Sequence, residues 1–152
     1  MFLLFRLYGS TVFCLRQIAS EVWVKSTEQP QSMPGVARIL VVDDDPQFRR
    51  TLQLALTTHG YQVTHAADGK KSLECVAAGA PDLIVLDWHL PEMDGIETCR
   101  ALRTYSDVPV IMVSANHSHS KSTALAAGAN DYLTKPFSVD ELLACIESAL
   151  KH

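Results

Sequence analysis

The stretch Arg38-Ile39-Leu40-Val41-Val42-Asp43-Asp44-Asp45-Pro46 decides the fold. Its apolar run lacks the polar alternation of a half-exposed strand, so it suits a strand covered on both faces. Three carboxylates then end the run, and Pro46 stands where a helix begins. Phe48, Leu52, Ala55 and Leu56 recur at helical spacing to about His59, and Gly60 supplies a stop. The same rhythm repeats downstream. Residues 61–65 read as a second strand, Asp68 caps a helix through Ala78 that Gly79 and Pro81 end, and residues 83–86 are again continuously apolar. A helix over 96–105, a strand over 108–113, a short helix over 121–127 and a strand over 131–134 complete the series. Ser138 and Glu141 form a capping box ahead of Leu142, Leu143, Ile146 and Leu150. Five short strands alternating with five helices predict an α/β fold, a single five-stranded parallel sheet with helices on both faces.

Working outward, 152 residues suffice for about one domain. With 47% hydrophobic and 20% charged residues, extended disorder is excluded for most of the chain. The net charge of −4 lacks the basic excess of a nucleic-acid binder, so no direct nucleic-acid binding is expected. Residues 1–35 carry Arg6, Arg16 and Lys25 against Glu21 and Glu28, so the acidity belongs to the remainder. Arg6 and Arg16 interrupt the most apolar region, and no membrane span is expected. Phe2 to Phe5 lacks the positive flank of a signal peptide. Residues 26–35, with Pro30 and Pro34, read as a polar linker, and Met33 stands just before the first strand. Residues 1–35 are therefore expected to be a poorly ordered extension and linker, with a membrane-touching helix as the alternative, and residues 36–152 the folded domain. Cys14, Cys75, Cys99 and Cys145 form no CxxC or zinc spacing, which favours a reduced, cytoplasmic compartment.

In such sheets, ligands bind beyond the carboxyl ends of the strands, near a switch in strand order. Asp43, Asp44 and Asp45 follow the first strand, Asp87 the third, Ser114 ends the fourth and Lys135 follows the fifth. Hard oxygen donors suit Mg2+, which takes one or two carboxylates plus waters and phosphate oxygens. An Asp carboxylate can also act as a nucleophile and carry a phosphoryl group where cations and hydroxyls offset the charge. Taken singly, each residue has a plainer role: Asp43 or Asp87 as turn former or cap, Lys135 as a solvated lysine, Ser114 as a turn hydroxyl. Their convergence on one sheet edge favours the chemical reading. The six histidines read as surface or loop residues; His117 and His119 share one polar loop without a third metal partner.

Val-Val-Asp-Asp-Asp at 41–45, Leu-Ile-Val-Leu-Asp-Trp-His-Leu-Pro-Glu-Met-Asp-Gly at 83–95, Val-Ile-Met-Val-Ser-Ala at 110–115 and Asp-Tyr-Leu-Thr-Lys-Pro-Phe at 131–137 together resemble the receiver domain of bacterial two-component response regulators. The resemblance spans about residues 38–150. It implies a flavodoxin-like strand order 2-1-3-4-5, and a phosphoacceptor signalling domain rather than an enzyme. Asp87 would take a phosphoryl group from a histidine kinase or phosphotransfer protein. Asp43, Asp44 and Asp87, with the backbone carbonyl of His89, would hold Mg2+. Lys135 and Ser114 would bind the phosphoryl oxygens, Ser114 and Tyr132 would form the switch, and the Lys135–Pro136 bond would be cis.

Within the family the chain is most similar to receivers that precede a winged-helix DNA-binding domain. Lys121, Asp131 and Glu141 match the face through which those receivers dimerise, but Cys145 stands where an arginine would pair with Asp131. Weak or no homodimerisation is therefore expected, with output through a downstream protein effector or a missing output domain. A second class stays open: haloacid-dehalogenase-type phosphatases also use an Asp nucleophile, Mg2+, a hydroxyl and a lysine. Asp43 would then be the nucleophile, although Pro46-Gln47 replaces the Gly-Thr that family wants. A flavin-binding module of similar topology is disfavoured, because three carboxylates after the first strand would repel the flavin phosphate.

Overall fold

The structure, a computed structural model, describes residues 35–152. The readings placed on residues 1–34, including the apolar run, most of the linker and a start at Met33, lie outside the described residues. The five strands are β1 (Arg38–Val42), β2 (Gln62–Ala66), β3 (Leu83–Asp87), β4 (Val110–Ser114) and β5 (Asp131–Thr134). They form one sheet of order β2-β1-β3-β4-β5, and every neighbouring pair is parallel. The helices are α1 (Pro46–Thr58), α2 (Gly69–Gly79), α3 (Gly95–Arg103), α4 (Lys121–Ala126) and α5 (Val139–Leu150).

The continuous apolar runs are explained by two cores, one on each face. Successive strand residues point to opposite sides of a sheet. Ile39, Val41, Leu83, Val85, Ile111 and Val113 therefore meet Leu52 and Leu56 of α1 and Leu142 and Ile146 of α5. Leu40, Val42, Ile84, Leu86 and Met112 point the other way, against Val76 of α2, Ile96, Cys99 and Leu102 of α3, and Ala124 of α4. From β1, which lies inside the sheet, the chain steps out to the edge strand β2, then returns past β1 to the central strand β3. Because such crossovers keep one hand, this reversal moves the helices from one face to the other. The reversal opens a crevice at the carboxyl ends of β1 and β3.

Several element ends differ from the sequence reading, each for a local reason. β2 starts at Gln62, because the Tyr61 N–H donates to the Leu56 carbonyl at 3.1 Å and so belongs to the exit from α1. Gly79 is the last residue of α2 rather than its stop, and Ala80 takes the left-handed conformation at φ 32°. The Arg38 guanidinium donates to the carbonyls of both Gly79 and Ala80, holding that exit. α3 begins at Gly95, because Asp94 caps it in a reciprocal box with Glu97, and it ends at Arg103 rather than Tyr105. β4 starts after Pro109, which has no N–H for the ladder. β3 runs one residue further than expected, to Asp87, and β4 ends on Ser114; both residues are buried.

Candidate functional site

Register alone brings the acidic groups together. Val42 of β1 pairs with Leu86 of β3, so Asp43 and Asp87 are the next residue on each strand. Asp87 pairs with Val113, so Ser114 lies one residue further along β4. Ser114 pairs with Thr134, and the N–H of the following Lys135 donates to the Ser114 carbonyl at 2.8 Å. Asp43, Asp87, Ser114 and Lys135 therefore share one rim. Asp43, Asp87 and Ser114 are buried, at 2%, 6% and 0% exposure.

The three aspartates after β1 have separate roles. Asp45 turns away and caps α1, accepting from the Gln47 N–H at 2.8 Å. Asp43 has both carboxylate oxygens engaged: Oδ1 accepts the Asp45 N–H at 2.8 Å, and Oδ2 accepts from Lys135 Nζ at 2.7 Å. Asp44 is exposed and completes, with Asp43 and Asp87, a group whose carboxylate oxygens lie within 4.8 Å of one another. Lys135 Nζ also lies 3.8 Å from Asp87 Oδ1 and 3.8 Å from the centre of the Phe48 ring. The ring face thus supports the ammonium from the α1 side. The Lys135–Pro136 peptide bond is cis.

Asp87 is the electrostatically exposed member of this set. Burial pushes its carboxyl up to about 6 from 3.8, with Asp43 adding to the effect, while Lys135 and a hydrogen bond from the His89 backbone N–H oppose it. Its Oδ1 is buried and has no hydrogen-bond partner. A buried, unpartnered carboxylate oxygen beside two further carboxylates is the donor set that a hard divalent cation satisfies, so the residues present fit Mg2+.

The backbone packs tightly where β3 meets α3. Gly95 N–H donates to the Trp88 carbonyl at 2.8 Å, which folds the start of α3 back against the end of β3. A Cβ at Gly95 would lie 2.3 Å from the Asp87 carbonyl oxygen and 2.8 Å from the Trp88 Cα. Only glycine fits that approach.

Two histidines make contacts that the sequence does not announce. His65, on the second strand as expected, is half-buried, with Nε2 2.9 Å from Gln53 Oε1. His119 is half-buried, and its Nδ1 lies 2.8 Å from Ser114 Oγ. Its ring stacks on Trp88 at 4.1 Å and on His89 at 4.8 Å between centroids. Burial and the neighbouring His89 lower its pKa against the pull of Asp94. Tyr132 packs edge-on against Trp88 at 6.3 Å, and its hydroxyl donates to the His119 carbonyl at 3.3 Å. No spacing in the sequence points to this cluster. The only cue is that Trp88 and His89 directly follow Asp87.

Lys121 and Asp131 form an ion pair within the chain at 2.7 Å. Burial raises the Asp131 pKa, but hydrogen bonds from Lys121, the Tyr132 N–H and the Cys145 thiol outweigh it and hold the carboxyl below its ordinary value. Burial and the same carboxylate push the Cys145 thiol up to about 11. Glu141 is engaged in the α5 capping box, accepting from the Ser138 N–H at 2.7 Å. Among the described residues, no helix is long and apolar enough to cross a membrane.

Comparison with known proteins matches this geometry. The family model for the response regulator receiver domain matches residues 39–147. Response regulator MprA of Mycolicibacterium vanbaalenii is 47% identical over 116 residues, covering 75% of this chain and 50% of that relative. The chain thus spans about half the length of the curated relatives it matches. The receiver domain of Francisella response regulator 1452 superposes with a TM-score of 0.72 at 38% identity, over 76% of this chain and 97% of that one. The BeF3-activated N-terminal receiver domain of Klebsiella pneumoniae RstA superposes with a TM-score of 0.72 at 31% identity, over 76% and 99% of the two chains.

Proposed function

This chain belongs to the response regulator receiver family, a signalling domain of two-component systems, and from that premise we propose that Asp87 is its phosphoacceptor. The observation that carries the assignment is the contrast between the two buried aspartates. Both oxygens of Asp43 are hydrogen-bonded, to Lys135 and to the Asp45 N–H, whereas Oδ1 of Asp87 accepts no hydrogen bond and meets Lys135 Nζ only at 3.8 Å. That contrast also disfavours Asp43 as a phosphatase nucleophile.

The donor is the phosphohistidine of a histidine kinase or phosphotransfer protein. Asp87 attacks phosphorus, the O–P bond forms as the P–N bond breaks, and the imidazole leaves with the electron pair. Lys135 offsets charge on the transferred group, and the Ser114 hydroxyl hydrogen-bonds a phosphoryl oxygen. Asp43, Asp44 and Asp87, with the His89 carbonyl, would hold Mg2+, which supplies positive charge to the carboxylates and the incoming phosphoryl oxygens. The new phosphate adds about −1.5 to −2 charge, and Ser114 and Tyr132 read it out by moving toward the site. Activity is limited to slow self-phosphorylation from small donors and slow dephosphorylation.

The receiver acts in the cytoplasm, through a protein effector or through an output domain of a longer regulator, in keeping with its coverage of half of its relatives. Residues 1–35 serve as an extension and linker outside the phosphorylation machinery, so a chain starting at Met33 should accept phosphate at the full-length rate. With Mg2+ and acetyl phosphate, the protein should form one acid-labile acyl phosphate. Undiminished labelling of Asp87→Asn would remove Asp87 from this role.

A further inference from the structure

Ser114 and Tyr132 sit on different strands and do not hydrogen-bond each other, yet both end on one residue. The His119 side chain meets the Ser114 hydroxyl at 2.8 Å, and the His119 backbone carbonyl accepts from the Tyr132 hydroxyl at 3.3 Å. The ring is held in place by stacking on Trp88 and His89, the two residues that follow Asp87. His119 therefore touches both switch side chains and the rings of the two residues that follow the acceptor aspartate.

The Ser114 hydroxyl carries one proton and is fully buried, so that proton needs an acceptor. The Asn116 N–H already donates to Oγ at 3.1 Å, which occupies one of its lone pairs. Among the described residues, the polar atom left to take the hydroxyl proton is His119 Nδ1 at 2.8 Å, which assigns the ring proton to Nε2. A phosphoryl oxygen is also only an acceptor. It needs the same proton.

We propose that His119 is a positioning residue that holds the Ser114 hydroxyl away from Asp87 and ties it to Tyr132, so that phosphorylation proceeds by exchanging the His119 acceptor for a phosphoryl oxygen. The exchange frees the His119 side chain, and with it the carbonyl that anchors the Tyr132 hydroxyl. The two switch residues are thereby coupled through one amino acid, and the hydrogen bond lost on phosphorylation sets part of the cost of activation. The inference rests on Asp87 being the phosphoacceptor.

The test is the affinity of the full chain for beryllofluoride in the presence of Mg2+, measured by calorimetry, for two substitutions that separate the ring from its nitrogen. His119→Phe keeps a stacking ring and loses the acceptor, whereas His119→Asn keeps a polar atom near the position of Nδ1 and loses the ring. Removing a hydrogen bond that must be broken on activation should make His119→Phe bind about two- to tenfold more tightly, while His119→Asn stays close to wild type. In a Ser114→Ala background the gain from His119→Phe should vanish, which a purely structural role for the ring would not produce. Unchanged or weaker binding by His119→Phe overturns the proposal, as does a gain that persists without the Ser114 hydroxyl or a gain matched by His119→Asn. If the wild-type protein takes up neither beryllofluoride nor phosphate, the Asp87 assignment itself fails, an outcome distinct from the other three.

Discussion

Lys135 Nζ lies 2.7 Å from Oδ2 of Asp43, a residue 92 positions earlier in the chain, and 3.8 Å from Asp87 Oδ1. One ammonium thus serves two buried carboxylates and contacts the nearer. The third carboxylate, Asp44, faces solvent. The rim carries more negative than positive charge, an electrostatic balance that suits a divalent cation.

Lys135→Ala should leave Asp43 and Asp87 without their cation and destabilise the metal-free protein by about 1–3 kcal/mol, the usual penalty for a buried polar group that loses its partner. Because Mg2+ binds only the folded state, millimolar Mg2+ should restore part of the loss. Urea unfolding with and without the metal reads both effects. A variant as stable as wild type in chelator would show that solvent, not Lys135, balances these carboxylates.

The pH dependence of stability follows from Asp87, whose carboxyl is raised to about 6 in the fold from 3.8. Between those values the folded state binds more protons than the unfolded state, so stability falls as pH rises through this window. Above about pH 6 the full penalty is present, at most about 3 kcal/mol. Asp87→Asn should therefore be more stable than wild type at neutral pH without metal, and its stability should vary less between pH 4 and 6. Denaturation curves across that range check the sign, and a variant less stable than wild type at pH 7 contradicts it.

Gly95→Ala tests the close approach at the end of β3. The added methyl would meet the Asp87 carbonyl oxygen and the Trp88 Cα, both backbone atoms that cannot swing aside. Overpacking of this kind costs about 1–3 kcal/mol, and the displaced backbone carries His89 with it. Both the melting temperature and the Mg2+ affinity should drop, the latter by calorimetry. Loss of stability with unchanged metal affinity would mean that the loop after β3 takes no part in the metal site.

Self-association should be weak. Asp131 is satisfied within its own chain by Lys121, and its neighbour on α5 is the Cys145 thiol rather than a guanidinium. An exposed ion pair contributes only about 0.2–1 kcal/mol, but a symmetric dimer repeats it. Beryllofluoride-treated protein should sediment mainly as a monomer at low micromolar concentration, and Cys145→Arg should shift it toward dimer. A tight dimer of the unmodified sequence would show that apolar contacts on this face suffice.

Much of this protein is written in its local sequence. Strands buried on both faces are apolar at successive positions through their centres, so β1, β3 and β4 announce themselves. Asp43, Asp87 and Lys135 stand out because a polar residue ending or following such a strand lies at the open rim of a parallel sheet. Caps are equally local: Asp68 and Ser138 each bond to a backbone N–H three residues ahead. What the tertiary structure alone decided are the partners drawn from distant segments. Asp43, Asp44 and Asp45 are chemically identical in sequence, yet only the register of β1 on β3 and the start of α1 send two toward Asp87 and the third to a helix cap. His119 looks like one polar loop residue among several. Its contacts with Trp88, His89, Ser114 and Tyr132 come from residues on or just after three different strands, and no periodicity within one segment encodes a meeting of three.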